Sequence, residues 1–339
     1  MSGSRTPGRG GQGGPKGQKR GGLGGPKGQK GQKRGGPGGP GGPRDGGRSG
    51  RAGGGGRSGP PGRGGARGRP GARGPGQRGS TPMGNRSDAA AKGLGGDQVE
   101  GRQAVRELLL AGTRRTREVL LAGDLDPAPI LDDIIDLADE AKVTIREVSR
   151  SKFESMAHTH APQGVLAMAQ PLYEHDLEDL LRADAQGRDP FLLLLDGVTD
   201  PGNLGAILRS AECAGVTGVV LPRHRAAGVT AAVAKSAAGA IEHLRMTRVA
   251  GLPKAMARLA DAGVWTVGLD VGGDAAIHEL TVADQPVALV LGAEGSGLSR
   301  LVRERCDTIA YIPLGGVLGS LNVSAAAAIA LFEVARRRS

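Results

Sequence analysis

Phe191-Leu192-Leu193-Leu194-Leu195-Asp196, set between Pro190 and Gly197, is the segment on which the fold turns. A short unbroken apolar run reads as a strand buried on both faces of a parallel sheet, because a strand with one wet face would alternate apolar with polar. Beyond it, helical and strand patterns take turns: helix 202–214, strand 216–221, helix 229–237, strand 241–247, helix 252–262, strands 264–269 and 287–291, helix 298–305, strand 308–312 and a last helix over 322–338. That order predicts an α/β, doubly wound sheet, in which ligands gather at the carboxyl ends of strands. The chemistry is therefore expected in the loops after residues 196, 269, 291 and 312.

Upstream, residues 96–170 alternate on a smaller scale: helix 102–111, strand 118–121, helix 130–142, and strands 143–148 and 164–169. They predict a small α/β sandwich, followed by a charged linker over 171–188 with a short helix and then by the larger domain, 189–339. Residues 1–95 differ in kind. Met1 to Gly93 hold 20 Lys and Arg against Asp45 and Asp88, a net +18, so the rest of the chain, with 25 basic against 32 acidic residues, carries −7. Almost no apolar side chain is present to offset a backbone entropy cost of about 1–2 kcal/mol per residue, and this tail is expected to be disordered. Gly13-Gly14-Pro15-Lys16-Gly17-Gln18-Lys19-Arg20 recurs, lengthened by one Lys-Gly-Gln unit, over 24–34 and gives way to Arg-Gly units over 62–73. Gly keeps no strict three-residue period, which excludes collagen. Such an arm is expected to touch RNA phosphates without regard to sequence, since no aromatic residue is interleaved for base stacking. The plainer alternative is a solubilising linker.

No apolar run approaches the length of a membrane span and no secretory signal opens the chain, so a cytoplasmic protein without membrane contact is expected. Cys213 and Cys306 lie in unrelated segments, without neighbouring Cys or His at metal-ligand spacing, and read as reduced, buried thiols. No metal site is expected.

Three loops carry the polar residues of interest. In the first, Asp196 to Arg209, Asp200 and Pro201 suit the N-cap and first turn of a helix whose buried stripe is Leu204, Ile207, Leu208 and Ala211. Asn203 and Arg209 are not needed for that stripe; the bland role for Arg209 is a surface pair with Glu212. The second, Gly292-Ala293-Glu294-Gly295-Ser296-Gly297, follows a strand directly, and its glycines permit positive φ and close approach to a ligand. Its G-x-x-G-x-G spacing and late position disfavour a dinucleotide loop. The third runs Ile312-Pro313-Leu314-Gly315-Gly316-Val317-Leu318-Gly319-Ser320-Leu321-Asn322-Val323-Ser324 into an alanine-rich helix. There Ser320, Asn322 and Ser324 taken singly are ordinary caps.

Taken together and in this order, Asn-x5-Arg, Gly-x-Glu-Gly-x-Gly and Ile-Pro-Leu…Ser-Leu-Asn-Val-Ser resemble the SpoU (TrmH-like) RNA ribose 2′-O-methyltransferases of the SPOUT superfamily, across residues 188–339. Residues 98–170, from Glu100-Gly101-Arg102 to Gln163-Gly164-Val165, are similar to the ribosomal-protein-L30-like substrate-binding domain of many members; the tail has no counterpart in the family. The resemblance implies a trefoil knot, an exception to the rule against threaded chains. It implies S-adenosylmethionine bound by Leu269, Gly292, Gly297, Ile312, Leu314 and Leu321, and a homodimer with active sites at the subunit interface. By the same resemblance Arg209 acts at the 2′-hydroxyl, Asn203 holds its loop, Glu294 organises the second loop, and Ser320 and Asn322 orient substrate. A guanidinium is a poor base, so Arg209 is expected to act through the substrate phosphate or the developing oxyanion. The implied substrate is a guanosine of the large-subunit ribosomal RNA, with transfer RNA as the alternative and an inactive ribosome-associated RNA binder as the contrasting class. His158 and His160 stand where similar proteins carry His-Gln-Gly, but Ala161 and Pro162 intervene before Gln163. They read as RNA-facing or structural.

Overall fold

The computed structural model describes residues 94–159, 161–224 and 226–339; the basic arm and His160 lie outside the described residues. The strand at the head of the larger domain, β5 (Phe191–Asp196), has Leu192 to Leu195 fully buried, and they divide between two cores. Leu193 and Leu195 face α5 (Pro201–Cys213), α6 (Ala231–Ser236) and α9 (Val323–Arg338). Leu192 and Leu194 face α4 (Leu177–Leu180), α7 (Leu252–Asp261) and α8 (Arg300–Arg303). Helices cover both faces, which is why the run is continuous and not alternating. At about 1.5–3 kcal/mol for each buried Leu, this strand is the hydrophobic axis of the domain.

The remaining strands are β6 (Gly218–Pro222), β7 (Met246–Val249), β8 (Trp265–Leu269), β9 (Ala275–Ala276), β10 (Val287–Gly292) and β11 (Thr308–Tyr311). All pair in parallel, in the order β7-β6-β5-β10-β8-β11-β9. From β5 the chain builds outward to β7, crosses to β8, and then slots β10 between β5 and β8. The order of winding thus reverses between β5 and β10, whose ends are in register at Asp196 and Gly292.

In the smaller domain, β1 (Gln98–Glu100), β2 (Thr116–Ala122), β3 (Thr144–Val148) and β4 (Val165–Ala169) form a sheet in the order β1-β4-β2-β3, with only β2 and β3 parallel. The helices α1 (Arg102–Ala111) and α2 (Pro129–Glu140) cover one face, and α3 (Arg150–Met156) covers the other through Phe153.

Several elements differ from the sequence reading. Residues 241–247 were expected to form one strand, yet 240–242 is a 3-10 turn entered through Gly239 at φ 85°, and β7 begins at Met246. Glu242, the last residue of the turn, is buried against a partner described below. The helix expected over 298–305 is confined to 300–303, and β1, α3 and β9 were not foreseen; β1 and β9 are too short to show a period. Leu94, within the stretch that composition assigned to the tail, is 2% exposed and bridges to Leu172. Cys213 is exposed, not buried as expected; Cys306 is half-buried, and burial pushes its thiol up to about 12.

The regions built on the four-stranded and the seven-stranded sheets are tied by a dry ion pair. Arg114, which follows α1, places Nη2 at 2.6 Å and Nε at 3.0 Å from the Glu242 carboxylate, with the residues 6% and 3% exposed. Arg114 also donates to the Gly96 and Gln170 carbonyls, so its charge is fully met. Burial pushes the Glu242 carboxyl above its usual range, against the pull of Arg114. Beside the pair α1 lies so close to Gly239 that a Cβ there would stand 2.5 Å from Glu107 Cβ. Removing one partner strands the other's charge, so Glu242→Ala is expected to cost about 3–5 kcal/mol, read as a fall in the urea midpoint, while Arg114→Met with Glu242→Leu recovers most of it.

Glu100 is the second buried acid. Burial by itself would raise its pKa, but hydrogen bonds from Thr159 Oγ1, His158 N–H, Gln98 Nε2 and Thr159 N–H hold the carboxyl below its usual range. A carboxyl depressed on folding contributes stability above its unfolded pKa, about 4.3, and loses it as pH falls through the folded value. Glu100→Gln is therefore expected to lower stability at pH 7 by about 1–3 kcal/mol and to flatten its decline below pH ~4, as measured by denaturant titration at both pH values.

Candidate active site

The first loop begins where β5 ends. Gly197 turns at φ 85°, and Asp200 caps α5 by accepting the Asn203 N–H at 2.7 Å, with Pro201 in the first turn. Leu204, Ile207, Leu208 and Ala211 are buried, as the stripe required, and Gly205 admits α6 so closely that a Cβ would stand 2.4 Å from Ser236 Cβ. The capped turn leaves the Asn203 side chain free to bridge two other loops. Its Nδ2 donates to Glu294 Oε2 at 3.0 Å, and its Oδ1 accepts from Asn322 Nδ2 at 3.0 Å. Asn322 in turn caps α9, accepting at Oδ1 from the Ser324 N–H at 2.9 Å and the Ser324 hydroxyl at 2.6 Å. Residues distant in sequence thus meet in one relay: Glu294, Asn203, Asn322, Ser324.

The second loop is a tight hairpin in which Ala293 and Gly297 exchange backbone hydrogen bonds of 3.0 and 2.9 Å. Gly295 and Gly297 take positive φ, 82° and 66°. For Gly292 the close approach is to the loop itself, since a Cβ would lie 2.1 Å from the Gly297 carbonyl carbon.

The third group stands at the neighbouring strand ends. Leu269 is in register with Leu291 on one side and with Ala310 on the other, so Leu269, Gly292 and Ile312 end side by side. Leu269 and Ile312 are half-buried, while Leu314 and Leu321 are 39% and 40% exposed. Ser320 is exposed on the same 313–321 segment, and a Cβ at Gly315, Gly316 or Gly319 would meet nothing within 4 Å.

Arg209 does not join this cluster. Six residues beyond Asn203 it emerges about 240° around α5 and about 9 Å along it, exposed to solvent. No ion pair links it to Glu212 among the described residues, so the bland role expected for it is not seen.

Other residues at these strand ends were passed over in the sequence reading. Asp196 accepts the Ser299 N–H at Oδ2, 2.7 Å, and Asp270 pairs with Arg303 at 2.8 Å beside Gly297. An acid closing a fully apolar strand, as Asp196 does, was the available signal. Among the described residues no group of three or more His, Cys, Asp or Glu could hold a metal ion, and no helix is long and apolar enough to cross a membrane.

The α/β sheet is doubly wound, and the polar relay lies at its switch point, where proteins of this architecture bind ligands. Comparison with known proteins gives the family. The SpoU rRNA Methylase family matches residues 190–332, and the family described as RNA 2′-O ribose methyltransferase substrate binding matches residues 98–175. A relative from Photobacterium profundum, named 23S rRNA (guanosine-2′-O-)-methyltransferase RlmB, is 40% identical over 253 residues, 72% of this chain and 99% of the relative. One of the same name from Shewanella oneidensis is 42% identical over 248 residues, 71% of this chain and 98% of the relative. The solved structure of the SpoU methyltransferase AviRb from Streptomyces viridochromogenes, in complex with AdoMet, superimposes with a TM-score of 0.61 at 28% identity, covering 76% of this chain and 94% of that one. The chain belongs to the SpoU methylase family.

Asn203→Ala removes two hydrogen bonds worth about 0.5–1.5 kcal/mol each and unties three loops. Amide exchange is expected to quicken roughly tenfold over 293–297 and 319–322 and to stay unchanged in β5, as mass spectrometry would read.

Proposed function

We propose that this protein transfers a methyl group from S-adenosylmethionine to the ribose 2′-hydroxyl of a guanosine in 23S ribosomal RNA. The observation that carries the proposal is the relay of Glu294, Asn203 and Asn322, in a chain aligned over nearly the full length of relatives that bear this activity's name. The 98–170 domain, L30-like on this reading, holds the RNA, and the basic arm adds contacts to phosphate. The 312–322 segment forms part of a trefoil knot around the cofactor.

The residues proposed to hold S-adenosylmethionine suit it. Leu269, Gly292, Gly297, Ile312, Leu314 and Leu321 offer strand-end backbone groups and apolar side chains, the chemistry that an adenine ring and a carbon chain require. When bound, the cofactor supplies a methyl carbon already activated on a sulfonium. What the protein must add is alignment and removal of the hydroxyl proton. Asn203, fixed at both ends of its amide, and Ser320 with Asn322 orient the ribose. As the C–O bond forms the proton leaves, and Glu294, whose Oε1 has no hydrogen-bond partner among the described residues, is a carboxylate at this cluster able to take it.

Arg209, directed away from its own relay, serves the second subunit of a homodimer. Exposed Ile329 and Phe332 on α9 support such an interface, because both lie on the side of the helix away from Ala330, Leu331 and Val334. In the partner's site the guanidinium binds a phosphate or the developing oxyanion, in the planar geometry that Lys lacks.

The test is label transfer from tritiated S-adenosylmethionine by the full chain to unmodified 23S rRNA and to a tRNA pool, with the methylated nucleotide mapped. Transfer to tRNA alone overturns the substrate reading, and transfer to neither overturns the activity. Arg209→Lys is expected to lower turnover about a hundredfold, ~2.7 kcal/mol. Mixing Arg209→Ala chains with Asn203→Ala chains is expected to restore activity, because each mixed dimer then holds one intact site; no restoration would mean that the site is not shared.

A further inference from the structure

The 293–297 hairpin has two sides. On one lie the ends of β8 and β11, assigned above to the methyl donor. On the other, between the end of β10 and those of β5, β6 and β7, lies a cleft of about 800 Å³ that shares only Gly297 with the residues proposed to hold the methyl donor. It sits at the reversal in winding between β5 and β10, where doubly wound sheets bind ligands, and its volume is in the range of small-molecule sites. Pro222, Leu252, Pro253 and Val302 give it apolar walls, while His224, Ser296 and Asp196 give it polar ones.

We infer that this cleft takes the base of the nucleotide being methylated, and that Asp196 reads it as guanine. Resting on the function proposed above, the inference adds the element that selects the base. Asp196 is anchored through Oδ2 by the Ser299 N–H, and its Oδ1 has no hydrogen-bond partner among the described residues. With no buried side-chain polar atom left unpaired among them, that oxygen is accessible to solvent, on a residue that lines the cleft. A guanine presents two adjacent donors, N1–H and the N2 amino group, which a carboxylate accepts; adenine presents an acceptor at N1 and no group at C2, so the carboxylate meets a lone pair instead. His224 and the Ser296 hydroxyl can donate to guanine O6 and N7. The base of an unpaired, unstacked nucleotide is what proteins read on this edge in RNA. The hairpin that walls the cleft through Ala293, Ser296 and Gly297 also carries Glu294, so the cleft adjoins the loop that bears the proposed proton acceptor.

The experiment uses the full-length protein, tritiated S-adenosylmethionine and 23S rRNA fragments carrying guanosine, inosine or adenosine at the target position. Wild type is expected to prefer guanosine about tenfold over inosine, which lacks the N2 amino group, and more strongly over adenosine. Asp196→Asn, which can still accept the Ser299 N–H and so preserves the loop, is expected to lower kcat/KM on guanosine at least tenfold, to narrow the guanosine-to-adenosine ratio, and to leave the Kd for S-adenosylmethionine within twofold. Because that ratio is taken within one preparation, partial misfolding cannot imitate it. A variant that keeps the wild-type ratio overturns the assignment of Asp196. A wild-type protein that methylates no guanosine fragment overturns the proposed function itself and the base pocket with it.

Discussion

The parallel pairing of β5 with β10 is the constraint on which everything else rests. Asp196 and Gly292 end side by side only because β10 enters the sheet between strands formed before it, and the in-register backbone ladder leaves no freedom to slip. Once those ends are adjacent, the capped start of α5 and the hairpin after β10 face each other. A single asparagine can then span them. A shift of one residue would exchange Leu289 and Leu291 of β10 with Ala288 and Val290 between the two cores and separate Asn203 from Glu294 at the same time. The hydrophobic core and the polar relay are thus fixed by one pairing.

The site is rigid for a second reason: its polar groups are already committed to one another. Asn203 has its backbone N–H on Asp200 and both ends of its amide on side chains from other loops. Asn322 is held between Asn203 and the first turn of α9, with one amide N–H left to donate. Such preorganisation costs nothing at the moment of reaction and suits chemistry that depends on alignment. Rigidity extends to the smaller domain, since the buried pair of Arg114 with Glu242 is strong in a dry setting only in one geometry, and Gly239 lets α1 approach to contact distance.

Much of this was legible in the chain. The unbroken leucine run announced a strand covered on both faces, and the Asp-Pro pair announced the start of α5. The three loops marked their own positions by glycine and asparagine where helix and strand patterns broke off. Family resemblance, carried by Ser320-Leu321-Asn322-Val323-Ser324 and its companions, supplied the chemistry, which spacing alone did not; singly, those residues are helix caps, and in the structure Asn322 is one.

What the sequence determined by itself is therefore local and periodic: which segments are apolar on one face or two, where backbones must turn, and which polar residues no packing stripe demands. Tertiary structure decided the rest, because it depends on which distant residues become neighbours. Glu242 read as part of a strand, and in the fold it ends a turn and pairs with Arg114, 128 residues away in sequence. Asp196 read as the end of a strand until the sheet set it at the mouth of a cleft. Arg209 read, by its residues alone, as a surface partner of Glu212, and no such pair forms among the described residues. Periodicity reports the direction of a side chain relative to its own element, and only the folded chain supplies what lies in that direction.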